Sequence, residues 1–176
     1  LSVVEPQSSG IGGGGFMIHN DGRTNDVGTI DGRETAPSSA SPRLFLDAAG
    51  KPMPFIDAFA GGRSVGVPGN IALAARASAR WGKLRWSALF QPAIRLAENG
   101  YQVTPRLAEA LSRLKAIWPD FPAAQAIYWQ DGRPKQVGET VRNPALGALL
   151  RTVAKKGARA FYSGRNAAAI IGATGR

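Results

Sequence analysis

The chain has 176 residues, 44% of them hydrophobic, enough for a single folded domain with a real core. It contains no cysteine and one histidine, His19, which excludes disulfides, thiolate metal sites and multi-histidine metal centres; no apolar run approaches the roughly 20 residues that a membrane-spanning helix requires. Lys and Arg number 22 against 12 Asp and Glu, a formal net charge of +10 that favours acidic partners, yet the cations are scattered between apolar positions as on solvated helix faces, so no nucleic-acid partner is expected.

Leu1 to Glu5 reads as the end of a helix stopped by Pro6. Leu1-Ser2-Val3-Val4 has neither the basic stretch nor the cleavage site of a signal peptide, and the chain is expected to open in the middle of an element. A glycine cluster follows, Gly10 and Gly12 to Gly15, behind Gln7-Ser8-Ser9. It matches G-x-G-x-x-G formally, but Phe16-Met17-Ile18-His19 after it alternates like a strand, whereas a dinucleotide site needs a helix opening there. No G-K-[ST] follows, so a phosphate-binding P-loop fails as well. Two readings stay open: a tight turn of left-handed glycines that lets two backbones approach, or a backbone lining for a small-ligand pocket.

Gly15 to Asn20 and Asp26 to Asp31 form a hairpin across the polar turn Asp21 to Asn25. At its exit stands Asp31-Gly32-Arg33-Glu34-Thr35. The Arg33 guanidinium is always charged and can grip a carboxylate through two parallel hydrogen bonds; the plainer reading is an internal salt bridge to Asp31 or Glu34. Thr35 to Pro42 is an extended crossover, because its prolines prevent helix. Ser64 to Val67 reads as a third short strand, and Pro68-Gly69-Asn70 leads into a helix over Ile71 to Trp81 that Gly82 stops.

From there the pattern is helical. A second helix begins near Ser87, with Pro92 kinking it or marking its true start, and Asn99-Gly100 ends it. Thr104-Pro105 opens a third, its stripe Leu107, Leu111, Leu114 and Trp118 running to a stop at Pro119. The stretch from Pro122 to Gln136 is less regular, with a turn at Asp131-Gly132. Trp118, Tyr128 and Trp129 read as groove packing in preference to a base-stacking surface. Asn143-Pro144 repeats the cap-plus-proline device for a fourth helix closed by Gly157, and a last one runs from Ser163-Gly164 through Ile171, with Ala173 to Arg176 trailing off.

Unaided chemistry is hard to find. A Ser-His-Asp triad would have to be drawn from Ser8, Ser9, His19 and Asp31, and no G-x-S-x-G elbow is present. Glu5, Asp31 and Glu34 could converge as paired carboxylates, but no spacing in the sequence brings them together. No residue of the chain is assigned as catalytic, and none as a metal ligand.

The stretches VVEPQSSGIGGGGFM and DGRETAP, then GGRSVGVPGNIALAA, WGKLRWSALFQPAIRLAENGYQVTPRLA and GETVRNPALGALLRTVAKKGARAFYSG, closely resemble the large subunit of γ-glutamyltransferases, which are N-terminal nucleophile hydrolases. The resemblance covers essentially the whole chain in the family's own order. It implies an α+β fold, part of an αββα sandwich and mostly helical after residue 69, with residues 1–176 as a single, incomplete large-subunit domain. It implies cleavage of γ-glutamyl amides such as glutathione, with Arg33 binding the substrate α-carboxylate. The nucleophile would be a threonine at the start of a partner small subunit, freed by autoproteolysis and lying outside this chain, so this chain alone is expected to be inactive. No cofactor is implied, and the compartment would be periplasmic or extracellular. A cephalosporin (glutaryl) acylase of the same fold is the nearest alternative; a basic nucleic-acid binder or a non-catalytic structural domain is an alternative of another class.

Overall fold

The computed structural model describes residues 1–115 and 117–175. In chain order the elements are β1 (Gly15–Asn20), β2 (Val27–Gly32), α1 (Phe55–Phe59), α2 (Asn70–Trp81), α3 (Trp86–Leu89), α4 (Gln91–Asn99), β3 (Tyr101–Gln102), α5 (Pro105–Arg113), α6 (Pro122–Tyr128), β4 (Trp129–Gln130), β5 (Arg133–Pro134), β6 (Thr140–Val141), α7 (Pro144–Lys156), α8 (Arg159–Tyr162) and α9 (Gly164–Thr174). Short 3-10 turns occupy Gly62–Ser64 and Trp118–Asp120. The fold is α+β and mostly helical after residue 69. Two compact units divide it: residues 11–83 with 158 onward, and residues 1–10 with 84–157.

In the first unit, β1 and β2 pair antiparallel, from Gly15 opposite Gly32 to Asn20 opposite Val27. The alternation Phe16, Met17, Ile18, His19 sets the pleat: Met17, His19 and Ile30 share the more buried face, while Phe16, Ile18 and Val27 are 69%, 75% and 66% exposed on the other. Helix α2 packs against the hairpin. Close approach is possible because Gly32 has no side chain; a Cβ there would stand 2.5 Å from Leu73 Cβ. Asn25, at φ 58°, closes the hairpin turn.

The expected third strand reduces to one bridge, in which Thr35 N–H donates to Val67 O at 3.3 Å and Val67 N–H to Thr35 O at 2.8 Å. Residues 62–64 are drawn into the 3-10 turn instead: Val65 N–H bonds Gly62 O, and the Ser64 hydroxyl donates to Phe59 O at 2.7 Å. Tyr162, in α8, holds the start of α2 by accepting from Ala72 N–H at 3.0 Å.

The second unit holds most of the core. Ile94, Ala97, Val103, Leu107, Leu111, Val141, Leu150 and Val153 are all buried, contributed by α4, α5, α7 and the short β3–β6 pair. The two cap-plus-proline signals form as read. Leu107 N–H donates to Thr104 Oγ1 at 3.1 Å and Leu146 N–H to Asn143 Oδ1 at 3.0 Å, each satisfying an orphan donor of its helix start. Gly157, at φ 81°, stops α7. Pro92 marks a true helix start: α3 ends at Leu89 and α4 begins at Gln91.

Three expectations change. Leu1 to Glu5 is a turn, with Val4 and Glu5 N–H both bonded to Leu1 O. Gly82 does end α2, as expected, and is extended (φ −69°, ψ 137°). Helix α5 ends at Arg113, well before Pro119, because the Leu111 carbonyl accepts from the Trp118 indole at 3.0 Å while Lys115 N–H turns to Ser112 O. Helix α9 runs three residues past Ile171, to Thr174. Ala116, inside the stretch expected to be helical, and Arg176, in the expected trailing end, lie outside the described residues.

Candidate functional site

Arg33 is carried by the exit of β2. Gly32 is the last paired residue, and Arg33 N–H donates to Asp31 Oδ1 at 2.9 Å, so the Asp31 side chain shapes the turn and does not neutralise the guanidinium. The guanidinium Nη1 stands 2.8 Å from Glu34 Oε2. The internal ion pair read from the sequence therefore exists, with Glu34 and not Asp31 as partner.

The two members of that pair sit in different surroundings: the Arg33 side chain is 58% exposed, that of Glu34 27%. Glu34 Oε2 is itself shielded from solvent and makes no aligned hydrogen bond, so the contact with Arg33 is one of charge. Glu34 is wedged in place. A Cβ on Gly14 would lie 2.6 Å from Glu34 Oε2, from Glu34 N and from Gly32 O, and Gly66 approaches Glu34 Cβ from the other strand of the Thr35–Val67 bridge. Nη1 of Arg33 makes the contact with Glu34, and Nε and Nη2 have no hydrogen-bond partner among the described residues.

The glycine run serves this arrangement by close approach, and none of Gly10 or Gly12 to Gly15 is left-handed. Gly13 O accepts from both Gly69 N–H and Asn70 N–H at 3.0 Å, tying the loop to the start of α2. Gly14 then lies against Glu34, while Gly12 faces open space. Nothing in the spacing of the sequence links Gly14 to Glu34, twenty positions apart, and this contact was not readable in advance.

The other candidates are spent elsewhere. The His19 ring lies flat on Trp81, centroids 4.5 Å apart and planes 8° apart, a packing role. Ser8 Oγ accepts from Arg106 Nη2 at 3.0 Å, and the Ser9 and Ser2 hydroxyls are 3.4 Å apart. Glu5 receives Gln7 Nε2 at 2.6 Å and pairs with Arg106 at 3.3 Å, fastening the N-terminal segment to the start of α5. Trp118 packs on Tyr128 and Trp129 with centroids 6.1 and 6.5 Å away. Among the described residues no three His, Asp or Glu side chains are grouped to hold a metal, and no helix is long and apolar enough to cross a membrane. An apolar cavity of about 250 Å³, walled by Val65, Val67, Pro68, Tyr162, Ile170 and Ile171, does not include Arg33. Arg33 stands on the surface of this chain, its side chain 58% exposed and paired with Glu34.

The chain as a whole is similar to known proteins. The family described as gamma-glutamyltranspeptidase matches residues 1–175. The "Glutathione hydrolase proenzyme" of Bacillus subtilis (strain 168) is 40% identical over 165 residues, which are 94% of this chain and 28% of that protein. The crystal structure of Helicobacter pylori gamma-glutamyltranspeptidase superposes with a TM-score of 0.91 at 32% identity, over 97% of this chain and 48% of that one. A cephalosporin acylase from Bacillus halodurans superposes with a TM-score of 0.79 at 30% identity, over 99% of this chain and 33% of that one. This chain thus spans only 28% of the first of these relatives. Hairpin and α2 are accordingly part of the αββα sandwich of the N-terminal nucleophile hydrolases. Since the match runs through the hairpin, the arginine turn and every helix beyond, the chain belongs to the gamma-glutamyltranspeptidase family.

Proposed function

We propose that this chain forms part of the large subunit of an enzyme that cleaves γ-glutamyl amides, glutathione among them, and that Arg33 binds the α-carboxylate of the substrate. The observation that carries this reading is the half-open guanidinium of Arg33. Glu34 holds Nη1 at 2.8 Å, the side chain is 58% exposed, and Nε and Nη2, an edge that matches two carboxylate oxygens, have no partner among the described residues. The names of the relatives, glutathione hydrolase and gamma-glutamyltranspeptidase, supply the reaction class.

With its α-carboxylate clamped, a γ-glutamyl substrate has its γ-carbonyl at a fixed reach from Arg33. Arg33 makes and breaks no bond; it converts a diffusive encounter into an oriented one. The nucleophile is the N-terminal threonine of a partner small subunit. Its hydroxyl attacks the γ-carbonyl carbon, the threonine's own α-amino group takes the hydroxyl proton, and that proton leaves with the departing amine. Water, or the amine of an amino acid or peptide, then attacks the ester and regenerates the hydroxyl. The chain acts as a zymogen component in a periplasmic or extracellular compartment, with no cofactor and no nucleic-acid partner.

Arg33→Lys tests the reading. The charge stays, the fork is lost, and charge-assisted bonds contribute about 1.5–3 kcal/mol each. In the complete two-subunit enzyme the KM for a γ-glutamyl anilide is expected to rise roughly 10- to 100-fold with the melting temperature unchanged. A KM within about twofold of the parent's removes Arg33 from the site.

The likeness to the Bacillus halodurans cephalosporin acylase favours a second reading, in which the same guanidinium holds a glutaryl carboxylate. Rates on a γ-glutamyl anilide and on a glutaryl amide, measured side by side, separate the two.

A further inference from the structure

The polar end of the hairpin and the C-terminal end of α2 enclose a second recess, of about 510 Å³, lined by His19, Asn20, Asp21, Gly22, Arg23, Arg80, Trp81 and Lys83. Its charge is lopsided. Arg23, Arg80 and Lys83 stand against one carboxylate, Asp21, which pairs with Arg23 only at 3.9 Å and in solvent. Five arginines elsewhere, Arg33, Arg106, Arg113, Arg133 and Arg151, each face a glutamate. Arg80 and Lys83 face no carboxylate among the described residues.

One wall of the recess is aromatic. His19 stacks on Trp81, and the Arg80 guanidinium carbon lies 4.8 Å from the Trp81 ring centroid, so the aromatic ring holds the cation in place. A concave site of one sign with an aromatic wall focuses the field that a flat surface would disperse. Cations from two elements, the hairpin turn and the helix end, converge on one volume. Two of them are guanidinium groups, whose fork matches phosphate oxygens.

We propose that this recess binds a small molecule bearing a phosphomonoester or diphosphate group, with Arg80 and Lys83 as its principal contacts and Arg23 closing over the anion from the turn. The volume lies within the range of small-ligand sites and exceeds what a lone phosphate needs. Binding here is independent of Arg33.

The test is calorimetric titration of the purified protein with pyrophosphate and with inorganic phosphate at fixed ionic strength. Pyrophosphate is expected to bind more tightly than phosphate, and raising the salt is expected to weaken both. Arg80→Gln with Lys83→Gln is expected to weaken pyrophosphate by about tenfold or more, two charge-assisted contacts being lost. Lys83→Gln alone removes no packing on Trp81 and is expected to cause a loss of several-fold in the same direction, so the result does not hang on the folding of the double variant. Lys155→Gln with Lys156→Gln, at the end of α7, is the control and is expected to leave affinity unchanged. The proposal is overturned if the double variant binds as the parent does, if the α7 control loses as much, or if pyrophosphate gives no saturable binding up to about 1 mM.

Discussion

The two units of the chain solve folding differently. The unit built from residues 1–10 and 84–157 buries Ile94, Ala97, Val103, Leu107, Leu111, Val141, Leu150 and Val153, and starts α5 and α7 with side-chain caps. The unit built from residues 11–83 and 158 onward buries, among its described residues, only Ile30, Ile71 and Phe161, and leaves Phe16, Ile18, Val27, Phe55 and Phe59 substantially exposed. Yet the second of these carries Arg33 and the glycine loop. The first is a scaffold that satisfies itself. The second spends its close contacts on holding a charged turn, with Gly14, Gly32 and Gly66 giving up side-chain packing so that backbones and Glu34 can approach. One sheet face is covered by α2 and the other is apolar and open, as expected for one layer of a sandwich.

The largest effect should separate the units by stability. Leu107 is 1% exposed, and Leu107→Ala is expected to cost about 2–5 kcal/mol through the cavity it leaves. Ile18, at 75% exposed in this chain, is the counterpart: Ile18→Thr is expected to change stability by less than about 0.5 kcal/mol. Urea unfolding of both variants checks the pair. A large loss at Ile18 would mean that the open sheet face is covered in the protein as purified, which would sharpen the sandwich reading.

A smaller effect should separate stability from function inside the glycine unit. Gly14→Ala places a methyl 2.6 Å from Glu34 Oε2, Glu34 N and Gly32 O. Two of those atoms are backbone, so the backbone at Gly14 or Glu34 has to shift as well as the Glu34 carboxylate. Overpacking of this kind costs about 1–3 kcal/mol. The distinctive expectation is kinetic and is read in the complete two-subunit enzyme: as Glu34 shifts, Arg33 loses its hold and KM for a γ-glutamyl anilide rises more than kcat falls. An equal fall in kcat with KM unchanged would assign Gly14 to the fold alone.

How much of this was readable in the residues depends on range. The hairpin followed from the alternation through Phe16 to His19, and the starts of α5 and α7 from Thr104-Pro105 and Asn143-Pro144, because caps and pleats act within a few positions. Arg33 was singled out by its neighbours and by the resemblance. What escaped was long-range or competitive. The end of α5 depends on an indole seven residues on, which takes a carbonyl from the helix ladder. The supposed strand at Ser64 lost to a local 3-10 turn. The hold of Gly14 and Gly66 on Glu34 joins three separate stretches, and no local pattern encodes it.

The smallest effect tests the scaffold unit's surface charges against its core. Arg133 and Glu139 form a two-bonded fork, Nη1 to Oε2 at 2.9 Å and Nη2 to Oε1 at 2.7 Å, and Gln136 N–H adds a third bond to the carboxylate. The guanidinium, with that backbone donor, lowers the Glu139 pKa to about 2, from an ordinary value near 4.5. A depressed carboxylate favours the folded state above its unfolded pKa. The stabilisation is thus complete above about pH 5 and is lost as pH falls from there towards 2. Both groups are solvent-exposed, so the effect should be slight beside that of Leu107→Ala. Melting temperatures of the parent and of Glu139→Gln at pH 6 and pH 3 provide the check. The parent's advantage over the variant is expected at pH 6 and should shrink at pH 3. An advantage that stayed constant with pH would show that Glu139 acts through shape and hydrogen bonding alone, and that the scaffold owes nothing to this charge.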